Sequence, residues 1–318
     1  MLTTTFTTLT GCRVPIQQAP MGPIAAPELV TAVADAGGVG TVAALGMTPE
    51  ELGTLSAALR TDGVLAANFA SADIDPAAVE FAAERFRIVD FFWHDPDPAL
   101  VALAHTGGAL VLWQVGSVGE ARQAVDAGAD MVAVQGAEAG GHVRGHTALL
   151  PLLESVLDEV DVPVLAAGGI GTARGVAAVL AAGAAGVRVG TRFIATTESG
   201  AHPGYVAALL AAGPDSTEIS DGFADCPLCA TVPRARVLRS AVAAVSALGG
   251  DTVGSMTVHG ETITLPARAG LPPHRGVRGH VEAMALYAGE AVAAVTEVRD
   301  AAEVVRELAE GAERLLSR

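Results

Sequence analysis

The sequence predicts an α/β chain folded as a (β/α)8 TIM barrel that carries a smaller, mainly helical insert or cap. Three observations predict it. Eight short runs rich in Val, Ile, Leu and Ala alternate with Ala-rich amphipathic stretches over about the first 190 residues. The runs are nearly continuous in apolar residues, as strands covered on both faces of a parallel sheet must be. Polar and glycine-rich residues follow many of these runs rather than clustering at one crossover. That pattern favours a closed barrel over an open doubly wound sheet.

In chain order, "PIQQAP" (15–20) is the first strand, followed by a helix from Pro27 to about Ala36. "GVGTV" (38–42) leads to a helix at "TPEEL", with Thr48 as cap and Pro49 in the first helical position. "GVLAANF" (63–69) precedes a helix opening at Asp75, and "RIVDFFW" (87–93) precedes "DPDPALVALAHTG". "ALVLWQV" (109–115) precedes "SVGEARQAVDAG", capped by Ser117 and stopped by Gly128. "DMVAVQG" (130–136) precedes a histidine-bearing loop and a helix near 147–160. "VPVLAAGG" (162–169) precedes "TARGVAAVLAAG", and "AGVRVGT" (185–191) ends the series. Residues 1–199 and 281–318 are therefore assigned to the barrel. Residues 200–280 are expected to form the cap, with "MTVHGETITLP" as a short hairpin or an extended segment, and 281–316 returns to helix.

Composition excludes several function classes. All 19 cations are arginine, so chemistry that needs a lysine amine is excluded: Schiff-base aldolases, pyridoxal phosphate enzymes and P-loop nucleotidases. A formal net charge of −16 without a basic stripe argues against a nucleic-acid partner. No apolar run is long enough for a membrane span, and the N-terminus lacks the pattern of a signal peptide, so a cytoplasmic protein is expected. Cys12, Cys226 and Cys229 are too few for a disulfide framework. "CPLC" is half a zinc site with no second pair to complete it, and the histidines show no ligand spacing, so no metal site is expected.

In a barrel of this kind the chemistry sits where strands end. The residues there are Met21 and Gly22, Asn68, Gln114 to Ser117, Gln135 to His142, Ala167, Gly168 and Gly169, and Gly190 with Thr191. "AAGGI" and "RVGT" follow the seventh and eighth runs, the usual phosphate cradle, and their small residues leave backbone N–H groups accessible. Asn68 and Gln135 end apolar runs with amides, which suit the mixed donor and acceptor edge of a heterocycle. The alternative is an amide tying down its own loop. In "VQGAEAGGHVRGH" the Gly140-Gly141 pair precedes His142, which is either a chemical group held at the site or a loop histidine satisfied by backbone; Glu138 is expected to orient the loop or cap the next helix, and His146 is read as structural or solvent-facing.

"QAPMGPIAAPELVTAVADAGGVGTV", "AANF", "DAGADMVAVQGAEAGGH", "VPVLAAGGIGTARGVAAVLAAGAAGVRVGTRFIATTES" and "YAGEAV" together resemble the nitronate monooxygenases. Related FMN-dependent quinone and enoyl-thioester reductases share these segments. The resemblance implies FMN across the barrel mouth, touched by Met21, Gly22, Asn68, Gln135, Gly140, Gly141, Ala167, Gly168 and Gly169. It implies a phosphate-binding turn at Arg188-Val189-Gly190-Thr191, later flavin contacts at Tyr287 and Gly289, and His142 as the catalytic histidine. The implied reaction is oxidation of an alkyl nitronate with O2 to a carbonyl compound and nitrite. The alternative is NAD(P)H-dependent reduction of a quinone or enoyl thioester, and a non-catalytic flavin-binding protein is a third reading. The expected partners are a small-molecule substrate, O2, NAD(P)H under the alternative reading, and a second copy in a homodimer. Arg188 stands where the family often has Gln, so its guanidinium is expected either to strengthen phosphate binding or to point away while the backbone serves.

Overall fold

The computed structural model describes residues 2–70, 74–225, 234–258 and 260–318. Cys226, Cys229 and His259 lie outside the described residues. Helix α1 (Thr5–Thr10) opens the chain, and barrel strands β1 (Ile16–Gln18), β2 (Val39–Ala43), β3 (Val64–Phe69), β4 (Ile88–Phe91), β5 (Leu110–Val115) and β6 (Met131–Gln135) follow. Helices α2 (Pro27–Asp35), α3 (Pro49–Ala58), α4 (Pro76–Ala83), α5 (Pro98–Thr106) and α6 (Val118–Asp126) separate them. After β6 come a two-residue strand β7 (Gly141–His142), α7 (Leu149–Leu157), β8 (Val164–Ala167), α8 (Ala173–Ala181), β9 (Gly186–Val189) and the short α9 (Thr191–Ile194). The eight strands β1–β6, β8 and β9 close into a parallel barrel, β9 pairing back on β1 with Gln17 opposite Arg188.

The helix starts follow local chemistry. Pro27, Pro49, Pro76 and Pro98 each occupy a first-turn position, where the missing N–H costs nothing. Thr48 and Glu51 form a capping box, and Asp75, Asp97, Ser117 and Thr172 cap the starts of α4, α5, α6 and α8. Outward residues of the strands, such as Val89, Phe91, Val111 and Trp113, bury against the Ala- and Leu-lined inner faces of the helices.

The barrel interior has two layers. Near the N-terminal ends of the strands it is apolar: Val39, Ala66, Ile88, Leu112, Met131 and Leu165 cluster with Phe6 of α1, which closes that end. One inward position further along, the same strands present Thr41, Asn68, Asp90 and Gln114, all buried. Two-residue periodicity makes these the next inward side chains. Helix α1 has no counterpart in the sequence reading, because "TFTTLT" is poor in strong helix formers. It is held by a capping box between Thr4 and Thr7, by the Gly11 C-cap, and by burial of Phe6.

Among its described residues the segment 200–280, expected as a mainly helical cap, is not mainly helical. Besides α10 (Pro203–Leu210) and α11 (Arg239–Ala247) it holds strands β10 (Thr217–Ser220), β11 (Ala235–Leu238), β12 (Thr252–Val258), β13 (Glu261–Pro266) and β14 (Val277–Gly279). They form two antiparallel sheets, ordered β10-β11-β7 and β13-β12-β14. The helical expectation followed "PRARVLRSAVAAVSAL", but "ARVL" is drawn into a strand by pairing on both sides, and the helix starts only at Arg239. The β12–β13 hairpin falls where "MTVHGETITLP" indicates it. The return to helix is also shorter than expected: 281–299 holds two 3-10 turns, and α12 (Ala301–Leu316) packs its apolar stripe on α8 and α2.

Candidate active site

A cavity of about 540 Å³ opens at the C-terminal ends of the barrel strands, beneath the cap. Its floor is the upper polar layer of the barrel. Arg188 donates to Gln17 Oε1 from Nε and Nη2 (3.2 and 3.1 Å) and to Gln114 Oε1 from Nη1 (2.6 Å), and it pairs with Asp90 at 2.9 Å. The same Asp90 oxygen accepts from Asn68 Nδ2 at 2.9 Å, and Gln17 Nε2 donates to Thr41 Oγ1 at 3.1 Å. Both members of the ion pair are essentially inaccessible to water, with side chains 2% and 0% exposed. Burial pushes the Asp90 carboxyl up, while Arg188 and the Asn68 amide pull it back.

This network fixes the polarity of two amides at the cavity floor. Asn68 uses its nitrogen on Asp90 and Gln114 uses its oxygen on Arg188. The groups left for the cavity are thus an acceptor, Asn68 Oδ1, and a donor, Gln114 Nε2. Arg188 therefore faces into the barrel; of the two expectations for its side chain, it turns away from the phosphate turn and braces the floor.

At one side of the floor, Gly168 and Gly169 lie in the left-handed region (φ 108° and 68°). Among the described residues the N–H groups of Gly168 and Gly190, both lining the cavity, donate to no other backbone group. Such a concave set of unpaired donors binds anionic oxygens without needing a cationic side chain. Thr191 Oγ1 accepts from Gly289 N–H at 2.9 Å, which leaves its hydroxyl proton to donate. The donor cradle beside a floor with one acceptor and one donor fits a phosphate-bearing heterocycle such as a flavin nucleotide.

His142 also lines the cavity, on β7. That strand is the edge of a sheet otherwise built by the cap: Ala235 lies opposite His142, and Val143 N–H donates to Arg234 O at 3.1 Å. Gln135, under the loop, donates to His142 O (2.9 Å) and accepts from Arg144 N (3.1 Å). Its amide thus ties down its own loop, the alternative weighed for it in the sequence. Gly140 is required by a close crossing, since a Cβ there would meet Gly289 N at 2.4 Å. Glu138 caps α7 by accepting from Leu149 N–H.

An aromatic wall flanks the imidazole. Trp93 meets it edge-on and Tyr287 at a tilt, both with ring centroids 5.4 Å away. The Tyr287 hydroxyl donates to Gly270 O at 2.8 Å, and its own carbonyl accepts from Tyr205, so the ring is fixed at both ends. Trp93 adopts φ 75°, one of two positive values at non-glycine positions among the described residues. For a bulky side chain this conformation costs roughly 1–3 kcal/mol.

Most residues singled out in the sequence line this one cavity: Met21, Gly22, Asn68, Gln135, Gly140, Gly141, His142, Ala167, Gly168, Arg188, Gly190, Thr191 and Tyr287. Gly169, Val189 and Gly289 do not line it: Gly169 lies just behind the cradle, Val189 points outward into the barrel–helix core, and Gly289 backs onto Gly140. His146 contacts Arg234 outside the cavity. The sequence reading missed Gln17, Thr41, Asp90, Trp93 and Arg144. Asp90 alone carries a local signal, a carboxylate inside the apolar run "RIVDFF".

Together these features make a closed (β/α)8 barrel with a glycine donor cradle, a polar floor and a histidine lining an apolar cavity at the C-terminal ends of its strands. Comparison with known proteins gives the family. The nitronate monooxygenase family model matches residues 3–67 and 63–311, and the chain belongs to that family. It is 40% identical over 222 residues to a (3aS,4S,5R,7aS)-5-hydroxy-7a-methyl-1-oxo-octahydro-1H-indene-4-carboxyl-CoA dehydrogenase of Rhodococcus jostii, covering 69% of this chain and 63% of that protein. It is 33% identical over 258 residues to a nitronate monooxygenase of Pseudomonas aeruginosa, covering 65% of this chain and 74% of that one. The matched region thus spans less than two thirds of the length of the carboxyl-CoA dehydrogenase. Among solved structures, FabK from Thermotoga maritima superposes with TM-score 0.79 at 25% identity, covering 100% of this chain and 98% of that one. Nitroalkane oxidase from Streptomyces ansochromogenes superposes with TM-score 0.78 at 28% identity, covering 98% and 99%. Among the described residues no helix is long and apolar enough to cross a membrane.

Proposed function

We propose that the protein oxidises alkyl nitronates with O2, using FMN as its flavin, and releases a carbonyl compound and nitrite. The observation that carries this reading is the placing of one imidazole, His142, in the lining of an apolar cavity that also offers unpaired backbone donors. The N–H groups of Gly168 and Gly190, with the Thr191 hydroxyl, hold the phosphate, Gly169 letting the loop behind them turn; Arg188 and Val189 serve that turn through the backbone. Asn68 Oδ1 and Gln114 Nε2 meet the polar edge of the ring. Met21, Gly22, Gly140, Gly141, Ala167 and Tyr287 pack around it, and Gln135 and Gly289 keep the loops in register.

Bound FMN supplies the two-electron acceptor. The protein's part is binding and proton handling. Protonated, His142 donates to a nitro oxygen and orients the anionic substrate; neutral, it takes the α-proton of a nitroalkane. The aromatic wall and the cap exclude water, which strengthens both interactions. We place the cap at residues 200–280, closing the substrate side of the cavity.

A second reading, redox chemistry on an acyl thioester with NAD(P)H, is favoured by the 40% identity to a carboxyl-CoA dehydrogenase. Anaerobic mixing separates the two. FMN-loaded protein is expected to bleach with propyl-2-nitronate and to keep its colour with NADH or NADPH. Bleaching by a nicotinamide alone would overturn the nitronate reading in favour of the thioester or quinone one.

A further inference from the structure

We infer that Trp93 is a positioning residue for His142, held in a backbone conformation that tryptophan otherwise avoids in order to set the imidazole over the cavity. The inference rests on reading His142 as the group that meets substrate. Two unfavourable features coincide on this one side chain. Its φ of 75° lies in the left-handed region, and its indole N–H is buried with no hydrogen-bond partner among the described residues. A residue needed only to fill space could be a smaller aromatic with neither feature.

Both features trace to where the ring has been put. β4 ends at Phe91, and the chain must turn before α5; the left-handed turn at Trp93 brings the indole to the cavity instead of the outer helix layer. There it stands edge-on to Phe92 (4.9 Å between centroids) on one side and to His142 (5.4 Å) on the other. The turn is locked from the histidine loop itself. Arg144, two residues after His142, donates from Nη1 to Trp93 O at 3.0 Å. Its other guanidinium nitrogens bind Glu120 Oε1 and Asp95 Oδ1, each at 2.7 Å, and its side chain is 15% exposed. Glu120 in turn accepts from Gly116 N–H at 2.7 Å, so the loops after β4, β5 and β6 are joined through one arginine. The ring that fixes His142 and the loop that carries it are thus held as one unit.

The test uses FMN-loaded protein labelled with 15N-histidine, with His142→Ala assigning the resonance, alongside steady-state turnover of nitronates. Trp93→Gly relieves the backbone conformation but removes the wall; Trp93→Phe keeps a smaller ring; Arg144→Met frees the carbonyl and leaves the indole. The expected result is a shifted or broadened His142 imidazole signal in all three. In Trp93→Gly, kcat should fall by about tenfold with KM little changed, as misplacement of a reacting group does. If Trp93→Gly does not fold, Trp93→Phe and Arg144→Met decide. His142 signals that coincide with the parent's in every folded variant, at unchanged FMN content, would overturn the inference. Shifted signals in a protein that turns over no nitronate would leave it standing and sink the nitronate reading instead.

Discussion

The two ends of the barrel interior are made of opposite materials. At the N-terminal end, α1 closes an apolar layer in which Phe6, Ile88, Leu112, Met131 and Leu165 meet only one another and their like. At the C-terminal end the same barrel holds a buried ion pair, the amides of Gln17, Asn68 and Gln114 and the Thr41 hydroxyl, and the loops above them carry consecutive left-handed glycines and a tryptophan with positive φ. One end is consistent at every level of sequence and packing. The other violates several preferences at once, which is what a site selected for chemistry looks like. The difference predicts that substitutions at the first end act on stability alone, and that those at the second act on ligand and rate.

The largest expected effect is on rate. His142→Ala should lower kcat/KM for a nitronate by about 10²–10⁴-fold, the usual worth of a proton-handling group, while Tm stays within a few degrees of the parent. A Tm loss without a rate loss would make His142 a packing residue. Next, Asp90→Ala strands the Arg188 guanidinium in the interior and should cost about 3–5 kcal/mol in denaturant unfolding. Replacing both partners with apolar residues should recover most of that stability and still weaken FMN binding. Phe6→Ala should cost a similar 3–5 kcal/mol from cavity formation, with FMN affinity unchanged. Equal flavin affinity in the Asp90 and Phe6 variants would erase the contrast between the ends.

The smallest effect concerns Cys12, in the apolar end. Burial pushes its thiol up to about 11, partly offset by the Thr10 hydroxyl. The folded chain then holds a proton that the unfolded chain releases at lower pH. The resulting stability is complete below the ordinary thiol range and is lost as pH rises to about 11, a difference of roughly 2–3 kcal/mol. Cys12→Ala should flatten that part of the alkaline stability curve.

The strands and the lining of the cavity are largely legible in the sequence; the helix that closes the first end and the pairings within the second are not. Eight apolar runs separated by Pro- and Ser-capped helices specify the barrel, because burial on both faces leaves no polar alternation to misread. The cradle is legible as well, since "AAGGI" and "RVGT" mark by their small residues where backbone must be open. What is hidden depends on pairing across distance. β7 and β11 lie about ninety positions apart, and only their pairing shows that the cap holds the histidine loop. Gln135 looks like a ligand amide until Arg144 N–H and His142 O are seen on it. Arg188 reads as either a phosphate ligand or a side chain turned away until Asp90, pointing inward from the strand across the barrel, claims it.

The claim that the C-terminal end holds FMN is tested most directly by titrating FMN into flavin-free protein and following its fluorescence. Parent protein should quench one equivalent. Gly168→Val places a branched side chain at φ 108° and against Ala139 N, within 3.0 Å of its Cβ, and should weaken binding by at least about tenfold. Phe6→Ala should bind like the parent. No quenching by the parent, or an equal loss in both variants, would contradict the account.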